Sequence, residues 1–344
     1  MRLTVLDLTR LLPGGYATHL LRNMGARVIK VEDPNRGDYL RSFPYPLEDG
    51  MSAYFHAINR GKESIVINLK KSPDLLLDLS KHADVLLEGF RPGVMERLGL
   101  GYDVISQRNQ SLIYCSINGY GSDASQAQKP GHDINYLSAT GLVDLQRGQD
   151  GEPAMPALQI ADVAGGALFA VTQILKAVIE RNESQSGCRL ELSMLDGTAS
   201  LMSFTAAASA LTNHDVTWKD LMLNGQIPCY NIYPTSDNRW ISVGNLEEKF
   251  WANFCLKLGR TTWLEKQFDR SSEFREEISS LFKTRNLDEW IRFFEGQETC
   301  VEPVRTISEA VSRGLFKYPD LPAPKHGQHT KTVLEEFLGE NQPT

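Results

Sequence analysis

The sequence lacks the motifs of several large enzyme classes. No G-x-G-x-x-G follows the first β-prone run, and neither G-x-x-x-x-G-K-[ST] nor G-x-S-x-G occurs in the 344 residues. These absences argue against a dinucleotide cofactor, P-loop phosphate chemistry and an α/β-hydrolase site. The five cysteines are widely spaced and form no C-x-x-C pair. We therefore expect reduced thiols, with neither a disulfide framework nor a metal site.

Positive charge and long apolar runs are also scarce. The 36 Lys and Arg residues are outnumbered by 43 Asp and Glu residues, and the net charge is -7, which argues against a general nucleic-acid binder. The most apolar stretch, 165–179, is interrupted by Gln173 and Lys176 and is too short to span a bilayer. The N-terminus has no apolar signal-peptide run and reaches Asp7 early. We expect a cytoplasmic protein that binds neither nucleic acid nor membrane.

Short β-prone runs alternate with helical segments over the first 120 residues. A helical stretch opens at Pro13-Gly14-Gly15, and Ser72-Pro73 marks another helix start. The β-prone runs are 4–8, 27–32, 64–68, 84–88 and 112–117. This alternation predicts an α/β fold with a parallel, doubly wound sheet.

The composition changes after residue 200. All five tryptophans lie beyond it, whereas 20 of the 27 glycines precede it. Glycine-rich connections are typical of the tight loops of an α/β domain. The tryptophan-rich part, with a predicted strand at 240–243 and a helix at 246–258, indicates a separate, smaller α+β unit. A final helix is predicted at 330–338.

Two segments carry more polar residues than a core or a plain surface requires. In 131–136, His132, Asp133 and Asn135 stand close together, and a capped helix start also explains them. Asp162 begins an apolar helix, where an ordinary N-cap is the simpler interpretation and where free N–H groups could receive an anion. The Gly165-Gly166 pair weakens a helix start by about 1 kcal/mol per glycine. It predicts close approach of a ligand or of another chain.

A third segment, 243–250, follows the predicted strand at 240–243. Glu247 and Glu248 there are ordinary solvated helix residues when taken alone. No spacing in the sequence connects them to His132.

Taken together, many blocks of the sequence resemble the class III CoA-transferase superfamily and, within it, the α-methylacyl-CoA racemases. The blocks occur in order over nearly the whole chain. They are Leu6-Asp7-Leu8-Thr9 with Pro13-Gly14-Gly15, then 25–32, Asn59-Arg60-Gly61-Lys62, 88–93, Leu98-Gly99-Leu100-Gly101, 131–136, Ala161-Asp162 with Gly165-Gly166, Met194-Leu195-Asp196-Gly197 and Gly327-Gln328-His329-Thr330.

The resemblance implies a fold and an assembly. Residues 1–190 plus 318–344 would form a large Rossmann-like CoA-binding domain, and 191–317 a linker and a small α+β domain. Two chains would interlock as a homodimer, with the active site between the large domain of one chain and the small domain of the other.

The resemblance also implies a reaction. A racemase inverts the stereocentre of a 2-methylacyl-CoA thioester by removing its α-proton and returning one through an enolate, which needs two acid/base groups. By motif match these groups are His132 and Asp162. Glu247 matches the acid that orients the histidine. The N–H groups at the helix start near Asp162 are expected to receive the enolate oxygen.

The racemase family's CoA contacts carry over to two segments and one arginine. We expect no metal, and no cofactor beyond the CoA that the substrate carries. The chain has Asp33 where racemases have arginine, so Arg36 or Arg41 is expected to supply that phosphate contact. The predicted CoA-binding residues are Ile67, Asn68, Leu69, Lys70, Arg91, Gly131, Asp133, Asn135 and Tyr136.

A CoA-transferase is the alternative. In that branch the residue matching Asp162 is a nucleophile that forms an acyl anhydride and then an aspartyl-CoA thioester. The run Gly37-Asp38-Tyr39 looks transferase-like. His132 and the lack of glycine in 245–248 favour the racemase. A non-catalytic CoA-binding protein, in which these residues would be idle, ranks last.

Overall fold

The computed structural model describes residues 3–122, 125–148, 151–316 and 321–339. By its internal contacts the chain divides into two compact units. The larger unit comprises Met1–Val143, Ala154–Ala207 and Tyr318–Thr344, and the smaller one Asp144–Pro153 and Ala208–Lys317. Whether the predicted ranges, 1–190 plus 318–344 and 191–317, fold as separate domains stays a prediction.

A six-stranded sheet forms the centre of the larger unit. All neighbouring strands run parallel, in the order β3-β2-β1-β4-β5-β6. This confirms the parallel sheet predicted from the alternating pattern. The strands are β1 (Thr4–Asp7), β2 (Arg27–Glu32), β3 (Glu63–Val66), β4 (Val85–Glu88), β5 (Ile113–Asn118) and β6 (Arg189–Ser193).

Helices follow the strands, as a parallel sheet requires. A π-helical segment, Ala161–Leu168, runs directly into α8. The first ten α-helices are α1 (Leu12–Asn23), α2 (Ala53–Asn59), α3 (Pro73–Ser80), α4 (Val94–Arg97), α5 (Tyr102–Arg108), α6 (Asp133–Ala139), α7 (Leu142–Leu145), α8 (Phe169–Ser184), α9 (Met194–Leu201) and α10 (Ser203–Thr212). Short 3₁₀ turns occur at Tyr39–Ser42 and Thr261–Lys266.

Alternate residues of each strand point to opposite faces of the sheet, and both faces are buried. Val5 lies in one apolar cluster with Leu21 of α1 and Ile174 of α8. Its neighbour Leu6 lies in the other cluster, with Leu76 of α3. Helices therefore cover both faces, which is the doubly wound arrangement.

One helical run, Ala161–Ser184, is long and apolar enough to cross a membrane by length and composition alone. It extends beyond the stretch 165–179 singled out in the sequence. A core helix passes the same test, and Ala170 and Ile174 of this run are fully buried against the sheet. The run is therefore accounted for as the central core helix of the larger unit.

A buried group of charges holds the loop that follows β1. The carboxylate of Asp7 accepts hydrogen bonds from the Thr9 N–H group at 2.9 Å and from the Thr18 hydroxyl at 2.6 Å. The Lys62 ammonium lies 3.3 Å from it. Burial alone would raise the pKa of Asp7, but Lys30 and Lys62 lower it to about 2. The chain is thus fixed in direction as it leaves β1.

The smaller unit is α+β, as the tryptophan-rich composition predicted. Three antiparallel strands, β7 (Tyr230–Pro234), β8 (Trp240–Gly244) and β9 (Val301–Pro303), pack with helices. Trp251, Trp263 and Trp290 are fully buried in its core. The helices are α11 (Glu248–Lys257), α12 (Ser272–Phe282), α13 (Leu287–Phe294) and α14 (Ile307–Ser312).

The chain then returns to the larger unit, where α15 (Thr330–Leu338) packs beside β3. The nearby His326 and His329 have structural partners. The His326 Nε2 atom lies 2.9 Å from the Asp33 carbonyl oxygen, and His329 Nδ1 accepts a hydrogen bond from the Ser64 N–H group at 3.1 Å.

Candidate active site

The candidate site lies where the strand order of the larger sheet reverses. The strands β1, β2 and β3 follow one another from the centre of the sheet to one edge, and β4, β5 and β6 from the centre to the other, so the order reverses between β1 and β4. In such sheets ligands bind beyond the carboxyl ends of the strands at this switch point. A cavity of about 330 Å³ is lined there by loop residues after β1, β4 and β5, namely Thr9, Arg10, Phe90, Arg91, Asn118 and Gly119.

Asp162 reaches this cavity from the first turn of the π-helical segment. Such wide turns are rare and are frequent at functional sites. Burial raises the pKa of the half-buried Asp162 carboxyl to about 7, and the negative charge of Asp133 adds to the effect. The group can therefore both accept and donate a proton near neutral pH.

Asp133, the first residue of α6, contacts the start of the π-helical segment. Its Oδ1 atom accepts a hydrogen bond from the Asp162 N–H group at 2.9 Å. Burial raises the pKa of Asp133, and hydrogen bonds from the N–H groups of Asp162 and Ala161 oppose this. The expectation that these N–H groups receive an enolate oxygen is wrong for Asp162, because its N–H group already has an acceptor.

His132 precedes α6 and lines the same cavity as Asp162. Its side chain is exposed, and its backbone N–H group donates to Oδ1 of Asn135 at 3.0 Å. The structure thus brings the two predicted acid/base residues to one cavity. Asn135, predicted to bind CoA, has a helix-capping contact here, and its contact with CoA stays a prediction.

Tyr136 forms a wall of the cavity and depends on two glycines. The buried ring packs edge-on against Tyr120, with ring centroids 5.0 Å apart. A Cβ atom at Gly119 would lie 2.4 Å from the Tyr136 hydroxyl oxygen, and one at Gly131 would lie 2.9 Å from it. Burial raises the pKa of Tyr136 to about 12. Its hydroxyl is therefore neutral and able to donate a hydrogen bond at physiological pH.

The glycine pair at 165 and 166 has an explanation within the chain. A Cβ atom at Gly197 of α9 would lie 1.9 Å from the Gly165 carbonyl oxygen, and one at Gly165 would lie 2.5 Å from the Thr198 hydroxyl. The approaching backbone is therefore that of α9. The prediction that a ligand or another chain causes the close approach is wrong for Gly165, so this pair gives no support to a dimer.

The segment 67–70 lines a second cavity of about 260 Å³, together with Asp33 and Asn35. Ile67 is buried and Lys70 is exposed. Asn68 shapes the turn, because its Oδ1 atom accepts hydrogen bonds from the N–H groups of Lys70 and Lys71 at 3.1 and 3.2 Å. The cavity shares residues 10 and 90 with the first one.

Glu247 belongs to the smaller unit. It is exposed and directly precedes α11, whose residues Phe250 and Trp251 donate backbone hydrogen bonds to its carbonyl oxygen at 3.0 and 3.1 Å. The predicted hydrogen bond between Glu247 and His132 stays a prediction.

Arg41, one of the two residues expected to replace the missing arginine at 33, is not free to do so. Its guanidinium pairs with Glu32 at 2.6 and 2.9 Å, donates to the Pro324 carbonyl oxygen and stacks on Phe55. Arg36 is exposed and does not line either cavity. Its part in phosphate binding stays a prediction.

Two cations that line the first cavity, Arg10 and Lys129, were not predicted from the sequence. Lys129 lies over the Tyr120 ring, 5.3 Å from its centroid. A signal for Arg10 was present, since it follows β1 and precedes Pro13-Gly14-Gly15. Residues at the carboxyl end of the first strand of a parallel sheet are often part of the site.

Comparison with known proteins places these features in a family. The chain is 32% identical to the α-methylacyl-CoA racemase of Homo sapiens, over 97% of this chain and 92% of that protein. It is 33% identical to a succinate–glutarate CoA-transferase of Agrobacterium fabrum, over 97% and 94% of the two chains.

A solved structure has the same fold. The crystal structure of a CAIB/BAIF family protein from Brucella suis superposes with a TM-score of 0.83 over 97% of this chain and 98% of that one, at 24% identity. The sequence model of CoA-transferase family III matches residues 2–333. The superfamily predicted from the sequence blocks is confirmed: the chain belongs to CoA-transferase family III.

Proposed function

We propose that the protein racemises 2-methylacyl-CoA thioesters. One acid/base group removes the proton from the α-carbon, the electron pair moves into the thioester to form an enolate, and the second group delivers a proton to the opposite face. His132 and Asp162 are the two groups. The CoA is part of the substrate, and the proposal needs no metal or further cofactor.

The observation that carries the proposal is that His132 and Asp162 line one cavity, where the Asp162 carboxyl is partly buried. A general acid or base works best when its pKa lies near the working pH. Burial, with the charge of Asp133, raises the pKa of Asp162 to about 7. Its ionised form removes the α-proton from one epimer, and its protonated form returns a proton to the enolate in the opposite direction.

His132 supplies the second proton carrier. Imidazole is the side chain that most often serves as a general acid or base, and that of His132 is exposed at the cavity that Asp162 lines. Glu247 is proposed to hold the imidazole in one tautomer. In the proposed interlocked homodimer this acid is Glu247 of the partner subunit.

A CoA-transferase is the second candidate, because relatives with that activity match the chain at similar identity. In that reaction the Asp162 carboxylate attacks the thioester carbonyl and expels the CoA thiolate. The thiolate then attacks the aspartyl carbonyl of the anhydride, which gives an aspartyl-CoA thioester and releases the acyl group as its carboxylate. The ionised carboxylate is needed both for nucleophilic attack and for removal of the α-proton, so the raised pKa of Asp162 does not distinguish the two reactions. The racemase is preferred because His132 lines the same cavity and has no assigned role in the transferase.

Solvent exchange distinguishes the two reactions. One epimer of a 2-methylacyl-CoA is incubated with the protein in D₂O without an acceptor acid, and deuterium at the α-carbon and product chirality are followed. Racemisation with deuterium incorporation supports the proposal. CoA transfer to an added carboxylic acid without exchange at the α-carbon contradicts it and supports the transferase.

Variants give the matched controls for this assay. His132→Ala and Asp162→Ala are each expected to abolish racemisation and to leave CoA thioester binding nearly unchanged. The exposed Arg108 of α5, which lines neither cavity, gives the control Arg108→Gln, for which we expect normal turnover. Near-normal racemisation by His132→Ala would contradict the two-group mechanism.

A further inference from the structure

Two of the cavities of the larger unit, the one that Asp162 lines and the one that the segment 67–70 lines, share one cation. Arg10 and Phe90 line both of them, whereas His132 and Asp162 line only the first and the segment 67–70 only the second. A ligand that extends from the reacting groups to that segment must therefore pass the Arg10 guanidinium.

The Arg10 side chain is held in place by aromatic rings. Its guanidinium lies 5.2 Å from the centroid of the Tyr39 ring and 5.9 Å from that of Phe90. One of its nitrogens, Nη1, donates a hydrogen bond to the Tyr39 hydroxyl oxygen at 2.9 Å. Contacts of this kind fix the plane of a guanidinium and leave its positive charge in place.

Most of the binding capacity of this guanidinium is unused. A guanidinium carries five N–H donors, and in the part of the chain that the structure describes the Tyr39 hydroxyl is the acceptor found for them. Within the same residues no carboxylate forms an ion pair with Arg10. The nearby Asp33 carboxylate instead accepts hydrogen bonds from the N–H groups of Asn35 and Arg36, at 2.9 and 3.3 Å.

The negative charge of Asp33 acts on Arg10 without an ion pair between them. An arginine that is oriented and not ion-paired suits a phosphate group, because its paired N–H donors match two phosphate oxygens. In an acyl-CoA the diphosphate joins the thioester-bearing arm to the adenosine. This charged link lies between the two ends of the molecule, as Arg10 lies between the two cavities.

We propose that Arg10 binds the diphosphate of the acyl-CoA and so fixes how far the thioester extends toward His132 and Asp162. This inference rests on the acyl-CoA substrate class of the family and not on the choice between racemase and transferase. Arg10 thereby supplies, from a different part of the chain, the phosphate contact for which the racemases have an arginine at the position of Asp33.

Ligand truncation tests the assignment by equilibrium binding, without turnover. The dissociation constants of CoA, dephospho-CoA and pantetheine are measured for the wild-type protein and for Arg10→Gln. We expect the substitution to weaken CoA and dephospho-CoA by about tenfold or more, since a charge-assisted contact is lost. Pantetheine, which has no phosphate, is expected to change less than about twofold.

Two further variants separate charge from shape. Arg10→Lys keeps the positive charge and is expected to bind CoA better than Arg10→Gln, although below wild type because the two-pronged contact is lost. Arg108→Gln, at an exposed arginine of α5 that lines neither cavity, is the matched control and is expected to bind all three ligands normally. Thermal unfolding of each variant checks that the fold is retained.

Several results would overturn the assignment. They are equal weakening of pantetheine and CoA by Arg10→Gln, unchanged CoA binding, or an equal effect of Arg108→Gln. Weakening of CoA but not of dephospho-CoA would assign Arg10 to the 3′-phosphate and also overturn it. If CoA binding depends on Arg10 but no α-proton exchange occurs in D₂O, the Arg10 assignment holds and the racemase proposal fails.

Discussion

The side chain of Asp133 accepts a hydrogen bond from the backbone N–H group of Asp162 at 2.9 Å. The Asp133 carboxylate thus holds the backbone of Asp162 in place. Its negative charge also raises the pKa of the Asp162 carboxyl. This contact links α6, which follows His132, to the π-helical segment. Both proposed acid/base groups are therefore positioned by neighbouring parts of one small network.

Replacing Asp133 separates its two effects. Asp133→Asn keeps an oxygen that can accept from the Asp162 N–H group but removes the negative charge. A nearby like charge raises a carboxyl pKa, so the substitution should lower the pKa of Asp162. For the reaction direction in which Asp162 removes the α-proton, the acidic limb of the pH profile of kcat/KM should therefore move down by about one pH unit. Rate profiles from pH 5 to 9 measure this.

The variant Asp133→Ala is the comparison. It removes the charge and the acceptor, so it should also lower the free energy of unfolding by about 1 kcal/mol, as loss of a capping contact does. An acidic limb that stays in place in both variants would contradict the electrostatic role of Asp133.

Asp162→Asn should abolish turnover and yet stabilise the protein at alkaline pH. The folded chain holds the Asp162 proton up to about pH 7, whereas the unfolded chain releases it near the ordinary carboxyl value of 3.8. The free energy of unfolding therefore falls as pH rises between these values. The variant lacks this loss, a difference on the order of 4 kcal/mol above pH 8.

Urea unfolding at pH 4 and pH 8 tests this at one fixed protein concentration. The gain should be present at pH 8 and small at pH 4, because pH 4 is only just above the unfolded value of 3.8. Asp215→Asn, at an exposed aspartate of the smaller unit, is the control and should show no such difference. A gain equal at both pH values would point to packing and contradict the raised pKa.

Gly197→Ala should disturb the site from a distance. The added Cβ atom would lie 1.9 Å from the Gly165 carbonyl oxygen, so α9 and the π-helical segment must separate. Overpacking of this kind costs about 1–3 kcal/mol. We expect a lower free energy of unfolding and, because Asp162 shifts, a lower kcat. Ala199→Ser, at an exposed position of α9, should behave as wild type.

Co-expression of two inactive chains tests the proposed assembly. If each site combines His132 of one chain with Glu247 of the other, a dimer of His132→Ala and Glu247→Ala chains contains one intact site. Random pairing makes half the dimers mixed, so about a quarter of wild-type activity should return. Each variant alone should stay inactive, and light scattering should show twice 38.5 kDa. No recovery in a verified mixed dimer would place each site within one chain.

Much of the larger sheet could be predicted because its strands are short apolar runs buried on both faces. The predicted strand at 27–32 coincides with β2, and the predicted helix at 330–338 with α15. The strand β6 was missed. Its residues Arg189 and Glu191 are exposed and alternate with Leu190 and Leu192, as expected for an edge strand with one polar face.

The site was harder to predict because its geometry depends on contacts between distant segments. The sequence singled out His132 and Asp162 but not the π-helical turn, which packs against α9 where Gly165 meets Gly197. It also assigned the N–H groups of the helix start to a ligand, whereas the N–H group of Asp162 donates a hydrogen bond to the Asp133 carboxylate. The position of Arg10 between two cavities follows only from the strand order.

The return of α15 to β3 has a consequence for synthesis on the ribosome. The His329 N–H group donates to the Ser64 carbonyl oxygen at 2.8 Å, and Arg27 pairs with Glu336 at 2.5 Å. During translation the edge of the sheet at β3 therefore stays uncovered until some 265 further residues have been made. Exposed strand edges favour aggregation. We expect nascent chains that stop before α15 to depend on chaperones, whereas chains released after it do not.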